Sequence, residues 1–257
     1  MDLLQQVFPI AQQGLWVGFA VFVRIGAMMA VLPAFGDQPV PTRVRLVLAI
    51  LFSLIVTPAI AQTLPDLPQD LRGAVALLGP EVIAGLFFGL MIRLFVLALQ
   101  IAGSIAAQAS SLTQIFGGTA VVDPQPAIGH VLVVAGTALI VLLGLHVHVA
   151  RYMIESYQIV PFATPMAAGI VAEAGLEQVS RIFALGFSLA APFLIASLLY
   201  NVVLGVINRA MPLLMVSFVG APALTAGGLF LFFLSAPLML KVWSDAVMAF
   251  LAQPLAN

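Results

Sequence analysis

The chain contains no cysteine and only one lysine, Lys241. The absence of thiols excludes disulfides, thiolate metal sites and a cysteine nucleophile. A phosphate-binding P-loop ends in Gly-Lys-Ser/Thr, and Lys241 does not complete that motif, so this nucleotide site is excluded too. Because the sequence has no run of basic residues, we expect no nucleic-acid partner.

Charge of either sign is scarce. Only 7% of the 257 residues are charged, 63% are hydrophobic, and the formal net charge is -1. An ordinary soluble domain has roughly 25% charged residues. Mean hydropathy is +1.18. A soluble fold could not cover its surface with so few charges, and the composition therefore indicates a membrane protein that crosses the bilayer several times.

Six hydrophobic segments predict an all-α membrane protein organised as one domain, residues 1–257. Each segment can hold the ~20 apolar residues that a spanning helix needs. The apolar runs are continuous rather than alternating, which excludes the strands of a membrane barrel. The segments cover residues 1–35 (apolar from about residue 14), 44–61, 74–107, 127–150, 182–207 and 213–243.

Several of these segments are expected to be kinked or broken. Segment 74–107 would be about 51 Å long as one helix, against a hydrocarbon core of about 30 Å, so it either breaks or projects from the bilayer. Pro192, Pro212, Pro222 and Pro237 favour interrupted helices. Residues 151–181 are predicted to form a long connection with room for a short helix. The Lys/Arg bias of the connections is too small to give an orientation.

Charged side chains inside apolar runs are the strongest candidates for a special role. A central intramembrane arginine costs about 2.5–3.5 kcal/mol, so Arg24 and Arg93 either snorkel near a helix end or pair inside a bundle or with another subunit. The second interpretation is favoured. Glu81 and Arg93 lie about 120° apart around one helix and are not expected to pair, which makes a partner from another subunit attractive.

Two small-xxx-small patterns predict close helix packing, at Gly14 and Gly18 and at Gly85 and Gly89. This packing lies either within the chain or against another subunit. The three histidines lack the spacing of metal ligands, and we expect no metal or other cofactor.

Residues 108–126 form a polar stretch between two hydrophobic segments. It is rich in Ser, Thr, Gln and Gly and carries no charge before Asp123. It is either a surface loop or a polar loop inside a pore or cavity, where irregular backbone is tolerated.

Two stretches and an ordered set of residues between them resemble the FliR/SctT family of type III export-gate proteins. The first stretch runs from Phe22 to Ala49 and the second from Ile207 to Pro222. The resemblance covers nearly the whole chain. The motif residues that carry it include Pro33, Phe35, Gly36, Pro41, Arg43, Arg45, Pro212, Gly220 and Pro222.

This resemblance implies a non-enzymatic structural subunit of the flagellar protein export gate, in the bacterial inner membrane and the flagellar basal body. It implies FliP-like, FliQ-like and FlhB-like partners, contact with membrane lipid, and unfolded flagellar subunits passing through a pore. Buried or inter-subunit polar roles fall to Arg24, Glu81, Arg93, Asn208 and Arg209. A gate or plug loop is expected over residues 108–120, with Gln108, Ser110, Ser111, Thr113, Gly117, Gly118 and Thr119.

Three other functions have to be compared with the sequence. An injectisome export-gate subunit would have the same motifs. An ion-coupled secondary transporter would also have broken helices and embedded arginines, but the scarcity of intramembrane acids argues against it. A membrane enzyme lacks any recognisable catalytic constellation.

Overall fold

The computed structural model describes residues 2–36, 40–61, 70–109, 127–210 and 216–253, and at a few helical positions among them only the backbone. These residues form seven α-helices and no strand, which confirms the all-α prediction. The helices are α1 (Asp2–Val31), α2 (Thr42–Ile60), α3 (Leu71–Ala109), α4 (Ala127–Leu142), α5 (Leu145–Ile159), α6 (Ala168–Ala210) and α7 (Val216–Ala252).

Five of these helices, α1, α2, α3, α6 and α7, are long and apolar enough to cross a membrane. Within the described residues, a sixth crossing is reached if α4 and α5 count as one bent span. The composition and the helix lengths therefore agree on a protein embedded in a bilayer.

Proline interrupts the long helices less than we predicted. Helix α3 has 39 residues and continues through Pro80, so segment 74–107 does not break. The whole helix is about 58 Å long, which exceeds the hydrocarbon core of about 30 Å. Helix α6 continues through Pro192, and α7 through Pro237. A proline removes one hydrogen bond, and long helical flanks in an apolar environment retain all the others.

The real break lies inside the predicted segment 127–150. Helices α4 and α5 meet there with a bend of 78°. Gly144 stands at the break with φ 85, a left-handed conformation that glycine adopts without steric cost. Conversely, the predicted connection 151–181 is mostly helical, and only residues 160–167 lie outside α5 and α6. An i,i+4 ion pair between Arg151 and Glu155 supports the polar part of α5.

The chain divides into two compact units. The first comprises Met1–Arg93, Val141–Gln178 and Met248–Asn257, and the second comprises Leu94–Ile140 and Val179–Val247. Helices α3, α4, α6 and α7 contribute residues to both units.

In the first unit, α1 packs against α2, and α2 also contacts α5. Helix α3 meets α1 at Gly85 and Gly89. A Cβ atom added at Gly85 would overlap the carbonyl oxygen of Arg24, and one added at Gly89 would come within 2.8 Å of the Met28 carbonyl oxygen. This small-xxx-small pattern therefore serves packing within the chain.

In the second unit, α3 is held by contacts of backbone and aromatic groups. A Cβ atom added at Gly103 would overlap the backbone of Gly129 in α4, so these two helices touch through their main chains. Gly136 of α4 leaves room beside the ring of Trp243, whose indole N–H donates to the Phe95 carbonyl of α3 at 2.7 Å. Helices α4 and α7 are thus anchored on α3 without charged groups.

The helices differ greatly in how much of their apolar surface the chain itself covers. In the most apolar window of α3, 56% of the residues are buried, against 28% in those of α2 and α6 and 6% in that of α7. Helix α3 is therefore a core helix, whereas α2, α6 and α7 present wide apolar faces outward.

A tight turn follows α1. Leu32 and Gly36 close it, since the Gly36 N–H donates to the Leu32 carbonyl at 2.7 Å. Ala34 within the turn has φ 67, a left-handed conformation that is unfavourable for a residue with a Cβ atom.

We therefore expect Ala34→Gly to raise the free energy of unfolding by about 0.5–1 kcal/mol, because glycine removes the Cβ clash at positive φ. The measurement is SDS-induced unfolding of the full chain in mild detergent. Ala30→Gly, at an exposed helical position of α1, is the matched control and should lower stability by about 1 kcal/mol. Equal effects of the two substitutions would contradict the role of φ at Ala34.

Candidate functional site: a buried ion pair joining α1, α3 and α5

Among the described residues, the two buried charged side chains, an arginine and a glutamate, lie together. Both Arg24 of α1 and Glu81 of α3 have 0% exposure. Arg24 donates from Nε to Glu81 Oε2 at 2.8 Å and from Nη2 to Glu81 Oε1 at 2.9 Å. This is the two-pronged geometry in which a planar guanidinium binds a carboxylate most strongly.

The remaining donors and acceptors of the pair hold the backbone at the end of α5. Arg24 Nη1 donates to the carbonyl oxygens of Ser156 at 3.2 Å and Val160 at 2.9 Å. Glu81 Oε1 also accepts the backbone N–H of Ala163 at 2.9 Å. The Ser156 carbonyl also accepts the Val160 N–H at 2.9 Å, so it has two donors. Helix ends leave carbonyl groups without intrahelical partners, and for Val160 an arginine from α1 supplies the donor.

Residues 160–163 owe their conformation to this pair. Ala163 has φ 55, a left-handed conformation that costs energy for a residue with a Cβ atom and persists only where surrounding contacts hold it. The ring of Tyr157 lies against the guanidinium, with the Arg24 Cζ atom 3.8 Å from the ring centroid, within the range of a cation–π contact. The cluster therefore acts as a clamp on the turn that leads from α5 into α6.

The structure pairs two of these charges inside the helical bundle, which is one of the alternatives that the sequence left open for Arg24. Glu81 and Arg24 pair within the chain, so neither needs a counter-charge from another subunit. Arg93, by contrast, is exposed, and its Nη1 donates to the Val31 carbonyl at the end of α1 at 3.2 Å. Arg209 is exposed in the last turn of α6. At Asn208 the structure describes only the backbone.

Most of the predicted gate or plug loop lies outside the described residues. Ser110, Ser111, Thr113, Gly117, Gly118 and Thr119 fall in that part. Gln108 does not belong to a loop: it is an exposed residue in the last turn of α3, which ends at Ala109. The prediction for residues 110–120 stays a prediction.

The motif residues near the N-terminus surround the turn between α1 and α2. Pro33, Phe35 and Gly36 form the turn, and the Phe35 ring packs edge-on against Phe52 of α2 with centroids 6.1 Å apart. Added bulk at Gly36 would meet backbone oxygens of α1. These residues thus shape the α1–α2 connection.

The other motif residues lie at the start of α2, in α7 or outside the described residues. Pro41 precedes α2 as its N-cap residue, and Arg43 is exposed in the first turn. Arg45 donates from Nε to the Val40 carbonyl at 3.0 Å. Gly220 and Pro222 lie in α7 with undescribed side chains, and Pro212 lies outside the described residues.

Sequence reasoning missed three polar contacts along one face of α3. Tyr152 and Gln178 donate to the carbonyls of Phe88 and Met91, each at 3.2 Å. Trp243 donates to the next carbonyl on this face, that of Phe95. A buried Tyr or Trp usually finds a hydrogen-bond acceptor, so Tyr152 on the polar helix α5 and Trp243 on α7 were usable signals.

The helices and the clamp together define an α-helical membrane protein whose buried charges hold its own backbone. Within the described residues, no group of three or more His, Cys, Asp and Glu gathers as a metal site would require. The chain belongs to the bacterial export proteins, family 1, whose sequence profile matches residues 15–250.

Known relatives align along nearly the whole chain. The Flagellar biosynthetic protein FliR of Caulobacter vibrioides is 32% identical over 231 residues, which cover 90% of this chain and 92% of the relative. The Aquifex aeolicus protein of that name is 27% identical, covering 87% and 86%. The protein of that name from Escherichia coli is 26% identical, covering 81% and 80%.

Proposed function

We propose that the chain is a non-enzymatic structural subunit of the flagellar protein export gate. Its place is the bacterial inner membrane within the flagellar basal body, where it helps to form the pore for unfolded flagellar subunits. The observation that carries the proposal is the match to the export family over residues 15–250, together with flagellar relatives that align along most of their own length.

The distribution of buried surface supports an assembled rather than a solitary protein. Helix α3 is largely covered by the chain, but α6 and α7 leave large side chains such as Phe187, Leu198, Phe230 and Phe233 exposed. Lipid accepts such faces. Exposed Asn201 on the same stretch of α6 donates its amide N–H to the Ser197 carbonyl at 2.8 Å. Its amide oxygen is better accommodated by a neighbouring helix than by lipid, where polar groups are costly.

The proposed neighbours are FliP-like, FliQ-like and FlhB-like subunits. Arg43 and Arg209, both exposed, are proposed to contact them, and residues 110–120 are proposed to close the pore until a substrate arrives. The Arg24–Glu81 clamp has no direct part in transport under this proposal, since its hydrogen bonds within the chain leave no group for a passing substrate.

The test is to tag the full chain, solubilise it in mild detergent and identify what co-purifies. We expect a stable complex with FliP-like and FliQ-like chains, and loss of motility and of flagellar protein secretion in a deletion strain. A lone chain, combined with normal motility in that strain, would refute the proposal. Substrate-dependent ion flux by the lone chain in liposomes would instead support a transporter.

A further inference from the structure

A cleft of about 450 Å³ lies between α1 and α2 in the first unit. Phe22 and Met29 of α1, Leu46 of α2 and Val82 of α3 contribute to its walls. Its volume falls within the usual range for ligand sites, about 300–1,000 Å³. Both helices that form it, α1 and α2, are long and apolar enough to cross a bilayer.

One cation stands among these apolar walls. Arg45 is the single charged residue of the lining, which also includes Thr42. Its Nε is fixed on the Val40 carbonyl at 3.0 Å, while neither Nη atom bonds to any residue in the described part of the chain. The first turn of α2 contains no acid, and its N-cap, Pro41, makes no side-chain hydrogen bond.

We propose that this cleft binds an anionic phospholipid, with an acyl chain along the apolar walls and the phosphate on Arg45. The free edge of a guanidinium matches two phosphate oxygens, and the unneutralised helix start adds a favourable positive field. Basic pockets between membrane helices select anionic headgroups in this way. A free phosphate would leave the apolar walls unused, so a lipid is the occupant that satisfies both halves of the cleft.

Three single variants separate the two halves of the site from general surface charge. Arg45→Gln removes the cation. Gly26→Leu places a branched side chain in the cleft, and the Cβ atom of that side chain meets only the Phe22 ring, at 3.7 Å, which is an ordinary contact. Arg43→Gln is the matched control, because Arg43 is exposed in the same turn of α2 but does not line the cleft.

The measurement is native mass spectrometry of the full chain after exchange from nanodiscs of either phosphatidylglycerol or phosphatidylcholine. We expect retained phosphatidylglycerol in the wild type and in Arg43→Gln, and about tenfold less in Arg45→Gln and Gly26→Leu. A photo-crosslinking residue at Leu46 should attach to lipid in the wild-type chain.

Three results would overturn the proposal. Equal retention of the two lipids would remove the role of the headgroup charge. An equal loss in Arg43→Gln and Arg45→Gln would indicate attraction to the surface rather than a site. Crosslinking of Leu46 to a partner chain, without lipid, would assign the cleft to a protein. None of these results bears on membership of the export gate, which the co-purification tests separately.

Discussion

Replacing Arg24 by methionine is expected to lower the free energy of unfolding of the full chain by about 3–5 kcal/mol. Methionine keeps an unbranched side chain but leaves the Glu81 carboxylate buried without its counter-charge. The Val160 carbonyl loses its Arg24 donor at the same time, whereas the Ser156 carbonyl keeps the Val160 N–H. A buried unpaired charge costs far more than a lost surface contact. Among substitutions in α1 that keep a long, unbranched side chain, this one should therefore be the most damaging.

The measurement is SDS-induced unfolding in mild detergent, with Arg151→Met as the matched control. Arg151 pairs with Glu155 at 2.7 Å, but the Arg151 side chain is 68% exposed, so its loss should cost less than about 1 kcal/mol. Limited proteolysis at residues 160–167 adds a local readout. Cleavage there should rise in Arg24→Met and stay unchanged in Arg151→Met, because the clamp holds that turn.

A double variant tests whether the damage comes from the uncompensated charge. Arg24→Met combined with Glu81→Leu should be more stable than the sum of the single effects predicts, since an apolar pair replaces the ion pair. Recovery should be incomplete, because the Ala163 N–H remains without its acceptor. If Arg24→Met costs no more than Arg151→Met, the clamp does not stabilise the fold.

Composition and the length of the apolar runs were enough to predict the helices that consist of one uninterrupted apolar run. Helix α2 (Thr42–Ile60) lies within two residues of the predicted segment 44–61. The polar stretch 151–181 was predicted to hold at most a short helix and is mostly helical, because hydropathy detects contact with lipid and not helix formation. Arg151, Glu155 and Gln178 are all good helix formers.

The candidate site was predictable only in part, for a similar reason. The cost of a buried charge was sufficient to single out Arg24 and Glu81 from sequence. Their pairing was not, because they are 57 positions apart and meet only when α1 packs on α3 at Gly85. The left-handed conformation at position 163 could not be predicted from sequence, because the residue there is alanine and not glycine or asparagine, which usually mark a positive φ angle.

Main-chain contact between α3 and α4 leads to the second large effect. Gly103→Ala is expected to destabilise the chain by about 3 kcal/mol, although alanine alone would favour a helix by about 1 kcal/mol. The new Cβ atom would overlap the backbone nitrogen and Cα of Gly129. A flexible side chain could rotate away, but backbone cannot, so the two helices must separate and lose contacts on both sides of the crossing.

Gly129→Ala is the matched control at the same crossing. There the nearest atom to an added Cβ is the Gln100 carbonyl oxygen at 3.7 Å, an ordinary contact, so stability should stay equal or rise by up to about 1 kcal/mol. SDS-induced unfolding of both variants measures the difference. Equal destabilisation by the two substitutions would mean that both positions need a small residue, and it would contradict a clash specific to Gly103. The expected asymmetry instead requires the particular crossing seen here, in which α4 presents its backbone to Gly103.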